Sequence, residues 1–312
     1  MVDSLLGKQF GRYELRALLG AGGMARVYQA FDRTLERDVA LKILDVAPTQ
    51  QAEFAERFRR EAHTLAGLRH PNIVQIYDYD RHKGLSFIVQ QLQPGPTLEQ
   101  ELADLAAQGR RMERAMVVRV IDQLADALDY AHRRNIIHRD LKPSNIIRNE
   151  RGDVVLTDFG IVKTASGPLV KTQTGLVLGT PGYLSPEQAR GNPTLSAASD
   201  IYSLGVILFE LLTGRLPFEH PQPMEVLLGH IQARPPSVRS LRPDLPAAVE
   251  RLLYRALAKR PTARYATAGA FARALQDAWP APPQVPIHTQ PTALNPAPLL
   301  GALMLAPAGA MM

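Results

Sequence analysis

Eight consecutive residues, His138-Arg139-Asp140-Leu141-Lys142-Pro143-Ser144-Asn145, set a carboxylate, two cations and an amide of the metal-ligating kind into one short stretch. Apolar runs bracket it, Asn135-Ile136-Ile137 before and Ile146-Ile147 after, as buried strands bracket a polar functional turn. A second polar group follows eighteen residues after Asp140, where Asp158-Phe159-Gly160 closes an apolar run over 154–156. Nearer the amino terminus, Gly20-Ala21-Gly22-Gly23-Met24-Ala25-Arg26-Val27 supplies glycines that let backbone amides approach phosphate oxygens and donate to them. A dinucleotide fingerprint would need a helix after this turn, but residues 26–30 alternate like a strand and predict a strand-turn-strand flap. Over 51–68 the residues Phe54, Phe58, Leu65 and Leu68 fall at helical spacing, with Glu61 set into their stripe. An inward carboxylate needs a cation, and Lys42 in Val39-Ala40-Leu41-Lys42 is the natural partner.

The run from His138 to Asn145 resembles the catalytic loop of protein kinases, His-Arg-Asp-Leu, three variable residues, then Asn. The strand ending in Lys42 and the Asp-Phe-Gly triplet fit the same pattern, and the likeness, to the eukaryotic-like Ser/Thr protein kinases of bacteria, spans residues 11–279. It implies transfer of the γ-phosphoryl of MgATP, with Mn²⁺ as a substitute metal, to a Ser or Thr hydroxyl of a protein substrate. In that reading Asp140 meets the hydroxyl, Asn145 and Asp158 hold the metal, and Lys42, paired with Glu61, holds the α- and β-phosphates. Gly20, Ala21, Gly22, Gly23, Val27, Ala40 and the backbone of Gln91 and Gln93 would surround the nucleotide. Lys142 stands where Ser/Thr-specific members contact the transferred phosphate, and Thr180 in Gly179-Thr180-Pro181-Gly182-Tyr183-Leu184-Ser185-Pro186-Glu187 points the same way. Phe159 would pack beneath the Glu61 helix, Gly160 would permit a backbone flip, Glu187 would pair with Arg264, and Asp200 would fix the backbone around His138 and Arg139. Arg139 also stands where activated kinases receive a loop phosphate, which implies a switch through autophosphorylation of Thr172 or Thr174 and a kinase–kinase dimer to perform it in trans.

Four positions depart from the family pattern: Ala25 for its third glycine, Gln90 at the gatekeeper, Gln91 for an acidic residue, and Ser185 for Ala in the Ala-Pro-Glu triplet. Ala25 and Gln90 support a pseudokinase scaffold as the alternative; the presence of Lys42, Glu61, Asp140, Asn145 and Asp158 together opposes it. A small-molecule kinase is disfavoured by the peptide-substrate segment 179–187.

The elements needed to position these residues follow from periodicity. Short strands over 13–19, 26–32, 38–44, 73–77 and 85–90 predict a five-stranded antiparallel sheet with one helix in an amino-terminal lobe, 11–91. Helices over 116–133, 201–212, 224–232, 246–259 and 267–278 make the second lobe, 92–280, mainly α-helical, so the fold class is α+β and bilobal. Residues 1–10 form an extension with the features of neither a signal nor a transit peptide. The chain has 312 residues, 46% of them apolar, and no cysteine, which removes disulfides and thiol chemistry and fits a cytoplasmic kinase domain. Net charge is +6, yet acids interleave with the cations and no basic stripe with aromatics appears, so no nucleic-acid partner is expected. Residues 281–312 are Pro/Ala-rich and end in the apolar stretch 299–312. As a helix that stretch would span about 21 Å against a hydrocarbon core of roughly 30 Å, so an apolar tail is favoured over membrane attachment through a shortened span.

Overall fold

The computed structural model describes residues 5–22, 25–44, 51–160 and 181–281, with the side chains of 51–55, 57, 58 and 61 outside that description. Six strands form the first sheet, β1 Gln9–Phe10, β2 Tyr13–Ala21, β3 Ala25–Asp32, β4 Arg37–Leu44, β5 Ile76–His82 and β6 Leu85–Gln91, in the spatial order β1-β2-β3-β4-β6-β5. Every neighbouring pair is antiparallel. Helix α1, Gln51–Ala66, lies between β4 and β5 in the chain. On one face Tyr13, Leu15, Tyr28, Leu41, Ile43, Phe87 and Val89 form a compact apolar cluster. Because side chains alternate across a strand, the odd-numbered residues of β4 enter that cluster and Ala40 and Lys42 point to the opposite face.

Two expectations for this sheet need correction. It has six strands, not five, because Phe10 pairs with Tyr13 and its buried ring meets Phe87 edge-on at 5.9 Å. A two-residue strand is too short to show alternation, so the end of the extension read as 1–10 enters the sheet unannounced. The strand expected over 73–77 instead runs Ile76–His82, closing on β6 through the two-residue turn Lys83-Gly84. Residues 72–74 use their backbone elsewhere: the Val74 N–H donates to the Leu156 carbonyl and the Leu156 N–H to that of Asn72, both at 2.9 Å.

Among the described residues the second half is mainly helical, with the two-stranded ribbon β7 Ile146–Arg148 and β8 Val154–Leu156. Helix α2, Leu98–Ala107, starts with a capping box between Thr97 and Gln100. Helix α3, Arg114–His132, buries Val117, Val120, Ile121, Leu124, Leu128 and Ala131 along one stripe and hands the chain to Ile136. The short α4, Pro186–Ala189, precedes α5, Ala197–Thr213, which is buried on nearly all sides and forms the axis of this lobe. Helices α6 Pro223–Gln232, α7 Val238–Leu241, α8 Ala247–Ala256 and α9 Ala268–Ala278 surround it. Asp129 of α3 caps α9, accepting the N–H groups of Ala268 (2.9 Å) and Gly269 (3.0 Å). The described residues up to Pro280 form one compact unit, and the apolar stretch 299–312 lies outside the described residues. Among the described residues no helix is long and apolar enough to cross a membrane.

Candidate active site

The turn after α3 is built on buried hydrogen bonds. Asp200, in the first turn of α5, accepts the His138 N–H at 2.8 Å on Oδ2 and the Arg139 N–H at 2.9 Å on Oδ1, with His132 Nε2 at 2.7 Å from Oδ2. Burial pushes this carboxyl up, but the hydrogen bond and charge of His132 and the backbone N–H of His138 outweigh it and hold its pKa below the ordinary value. Arg139 is thereby kept at φ +66°, a left-handed conformation costing about 1–3 kcal/mol in a non-glycine residue. His138 is fully buried, which lowers its pKa and favours neutral imidazole. Its Nε2 lies 2.9 Å from the Thr157 carbonyl and its Nδ1 accepts the Asp140 N–H at 3.3 Å, so the proton sits on Nε2. One ring thus ties the loop to the segment leading into Asp158.

Asp140 is gripped by its own loop. Asn145 Nδ2 donates to the Asp140 carbonyl (2.8 Å) and to Oδ2 (3.1 Å), and Lys142 Nζ lies 3.5 Å from the same Oδ2. Asn145 ends a 3₁₀ turn whose next residue opens β7, and its carbonyl accepts the Thr157 N–H at 2.8 Å. The two polar segments are therefore one rigid piece. Asp158 is a second left-handed residue, at φ +53°, and its Oδ1 meets Lys42 Nζ at 2.7 Å. Strain at two residues flanking one site marks a geometry that the surroundings impose. Phe159 is buried in the core that includes Ala62, Leu65 and Leu68, and its ring packs on His138 at 4.5 Å. The Gly160 N–H donates to the His138 carbonyl at 2.8 Å, and a Cβ there would stand 3.1 Å from that oxygen and 3.3 Å from Arg139 Cβ.

The sheet register gathers the remaining groups. Val27 is opposite Lys42 and Lys42 opposite Ile88, while Gln29, Ala40 and Gln90 form the next-but-one rung. Val27, Ala40, Lys42 and Gln90 consequently share the face turned away from the apolar cluster. Gly20 is opposite Val27 and Ala21 opposite Arg26, so β2 and β3 flank the glycine turn as a strand-turn-strand. The Gln91 N–H donates to the Gln75 carbonyl at 2.8 Å and fixes the strand end that leads to Leu92 and Gln93.

The sequence profile of the family described as Protein kinase domain matches residues 13–279. The chain belongs to the protein kinase family. It is 43% identical to Serine/threonine-protein kinase PrkC of Bacillus subtilis over 85% of this chain and 40% of that protein. It is 40% identical to Serine/threonine-protein kinase PknA of Mycobacterium tuberculosis over 85% of this chain and 61% of that protein. The chain therefore spans about half the length of these relatives. Among solved structures, the Mycobacterium tuberculosis PknI kinase domain superposes with a TM-score of 0.70 at 29% identity, covering 89% of this chain and 99% of that one.

In this kinase domain the segment carrying Glu187 is anchored to the helical core. Arg264 meets Glu187 with two parallel bonds, Nη1 to Oε1 and Nη2 to Oε2, both 2.8 Å, and Ser199 Oγ donates to Oε1 at 2.7 Å. Burial raises the Glu187 carboxyl, but Arg264 and Ser199 outweigh it and hold its pKa low. Tyr183 donates to Glu210 at 2.7 Å, and burial, with Glu99 and Glu219 nearby, pushes the Glu210 carboxyl up to about 7. Gly23, Thr172, Thr174 and Thr180 lie outside the described residues, as does the side chain of Glu61, whose backbone belongs to α1. Among the described side chains Lys42 pairs with Asp158, a contact that sequence reasoning did not foresee because 116 residues separate the two. Gln188 was missed as well: it is nearly buried and donates to the Arg139 carbonyl at 2.7 Å. Its signal was the capping pattern of Ser185 and Gln188 three residues apart, which marks a helix start and says nothing of a remote partner.

The donors suit a hard cation. Asn145 directs its nitrogen at Asp140, leaving the amide oxygen on the other side, and Asp158 meets Lys42 through Oδ1. Mg²⁺ is commonly held by one or two such protein oxygens, with phosphate and water completing its shell.

Proposed function

We propose that this chain is a Ser/Thr protein kinase that transfers the γ-phosphoryl group of ATP to a Ser or Thr hydroxyl of a protein. The observation carrying this reading is the grip on Asp140: its side chain is oriented by Asn145 and flanked by Lys142, beside the Lys42–Asp158 pair. The Asp140 carboxylate accepts the proton of the incoming hydroxyl as that oxygen bonds to the γ-phosphorus in line and the bond to the β–γ bridging oxygen breaks. Lys142, already close to Asp140, neutralises charge on the transferring phosphoryl oxygens. Lys42 and the backbone of Gly20–Gly22 and Gly23 hold the remaining phosphates, Val27 and Ala40 line the base on the shared sheet face, and Gln91 and Gln93 offer backbone groups to it. Asp158 and the Asn145 amide oxygen would hold Mg²⁺, or Mn²⁺ in its place, which when bound neutralises phosphate charge.

The serine/threonine preference rests on Lys142 and on the relatives' names. Regulation by autophosphorylation at Thr172 or Thr174, received by Arg139 and carried out within a dimer, belongs to the same reading, as does a cytoplasmic kinase domain. The deciding experiment is transfer of radiolabelled γ-phosphate from MgATP to the protein and to a generic basic protein, with Asp140→Asn alongside. Loss of the catalytic base should lower the rate by about 10²- to 10⁴-fold. Equal labelling by both proteins would remove Asp140 from its role. No labelling by the wild type, with nucleotide binding intact, would favour the pseudokinase scaffold.

A further inference from the structure

Arg139, the residue before Asp140, is held on both sides of its backbone. Its N–H is fixed by Asp200 Oδ1 at 2.9 Å, and its carbonyl accepts Gln188 Nε2 at 2.7 Å. Gln188 lies on α4, directly after Glu187, and is 4% exposed. Its amide cannot swing: Oε1 accepts the Ser185 N–H and the Ser185 hydroxyl, both at 3.0 Å, which fixes Nε2 toward Arg139. The helix carrying it is pinned through the neighbouring Glu187 to Arg264. The Arg139–Asp140 peptide unit carries both the carbonyl that Gln188 holds and the N–H that His138 Nδ1 accepts at 3.3 Å. Arg139 sits at φ +66°, and the restraint on its carbonyl opposes relaxation of that peptide toward an unstrained conformation.

We infer that Gln188 is a positioning residue for phosphoryl transfer, locking the peptide that carries Asp140 to the segment that receives the protein substrate. The inference rests on the kinase reading above and deepens it. Gln188 touches no reacting atom; it sets the orientation of Asp140 through the preceding carbonyl. A displacement of about 1 Å at a reacting group is enough to cost on the order of 10²-fold in rate.

Two substitutions test this. Gln188→Met keeps length and volume but removes the donor, and is expected to lower kcat by about 10- to 100-fold while KM for MgATP stays within about twofold. Gln188→Glu places a carboxylate against the Arg139 carbonyl when ionised and a donor there when protonated. Its activity relative to wild type is expected to recover as pH falls, an ionisation that Gln188→Met must lack. Hydrogen exchange gives a reading that needs no turnover: in Gln188→Met the Asp140 amide should exchange faster, while those of His138 and Arg139, held by Asp200, should not. A kcat and pH profile equal to wild type in both variants, with unchanged Asp140 exchange, would overturn the inference. So would a loss of kcat matched by an equal loss of folded protein. If the wild type transfers no phosphate, the kinase reading fails, and the Asp140 exchange comparison then decides alone whether the lock exists.

Discussion

Arg264 and Glu187 form an ion pair whose side chains are 0% and 8% exposed, and each partner is further bonded, Arg264 to the carbonyls of Ala258 and Ala198 and Glu187 to Ser199. Removing one member of such a pair strands a buried charge, so Arg264→Ala should cost about 3–5 kcal/mol in urea unfolding. A cost below about 1 kcal/mol would show that water reaches Glu187. Two other groups, the buried His230 and the half-buried Glu210, oppose each other in their response to pH. Burial lowers His230 to about 3, so its stabilisation is present above its ordinary pKa of 6.5 and is lost as pH falls toward about 3. Glu210 is raised to about 7, so its contribution is complete below its ordinary 4.5 and is lost as pH rises through about 7. Between these ordinary values the two slopes cancel in part. Glu210→Gln should make urea midpoints climb more steeply with pH across that window, and His230→Gln should make them climb less; parallel curves for both variants and wild type would refute it.

At the scale of elements, the segment joining the lobes and the strand after the catalytic loop are welded together. A Cβ on Gly95 would stand 1.8 Å from the Arg148 carbonyl oxygen, so only glycine fits there. The Arg148 N–H donates to the Pro96 carbonyl at 2.9 Å, Thr97 bridges Ile147, and the Arg148 guanidinium meets Glu101 of α2 at 2.8 Å. β7 begins immediately after Asn145, so pushing it away displaces the residue that orients Asp140. Gly95→Ala should destabilise the domain by at least about 1–3 kcal/mol and raise KM for ATP. Unchanged melting and unchanged KM would mean that the crossing is looser than it stands here. Much of this scale was legible in the sequence, since the glycine turn with its flanking strands and the amphipathic stripe of α3 appear as periodicity. The true start of β5 was not, because Ile73 and Val74 look like strand residues and are used by β8 instead.

Over the whole molecule, one apolar core runs from Leu44 and α1 through α3 and α5 to α9, with the smaller cluster of the sheet on the far face of β4. The domain closes on itself at its carboxyl end, where the Trp279 carbonyl accepts the Arg114 guanidinium of α3 and Asp129 caps α9. Residues 1–280 should therefore melt at the same temperature as the full chain and transfer phosphate at the same rate. Comparing the two proteins by calorimetry and labelling checks this, and a lower melting temperature for 1–280 would show that residues 281–312 contribute to the fold. Vesicle partition of the same two proteins reports separately on the apolar stretch 299–312.

What the sequence determined by itself is local. The loop from His138 to Asn145 and the triplet from Asp158 to Gly160 are short strings whose residue types and spacing carry their chemistry, and helix and strand periods set most element boundaries. Only the tertiary structure decided the long-range partners: Lys42 with Asp158, Gln188 with the Arg139 carbonyl, Asp129 with the first amides of α9, and the left-handed backbones of Arg139 and Asp158. Those choices depend on which side chains packing brings within about 3 Å and on strain the surrounding contacts impose, and neither is written in the spacing of residues along one segment.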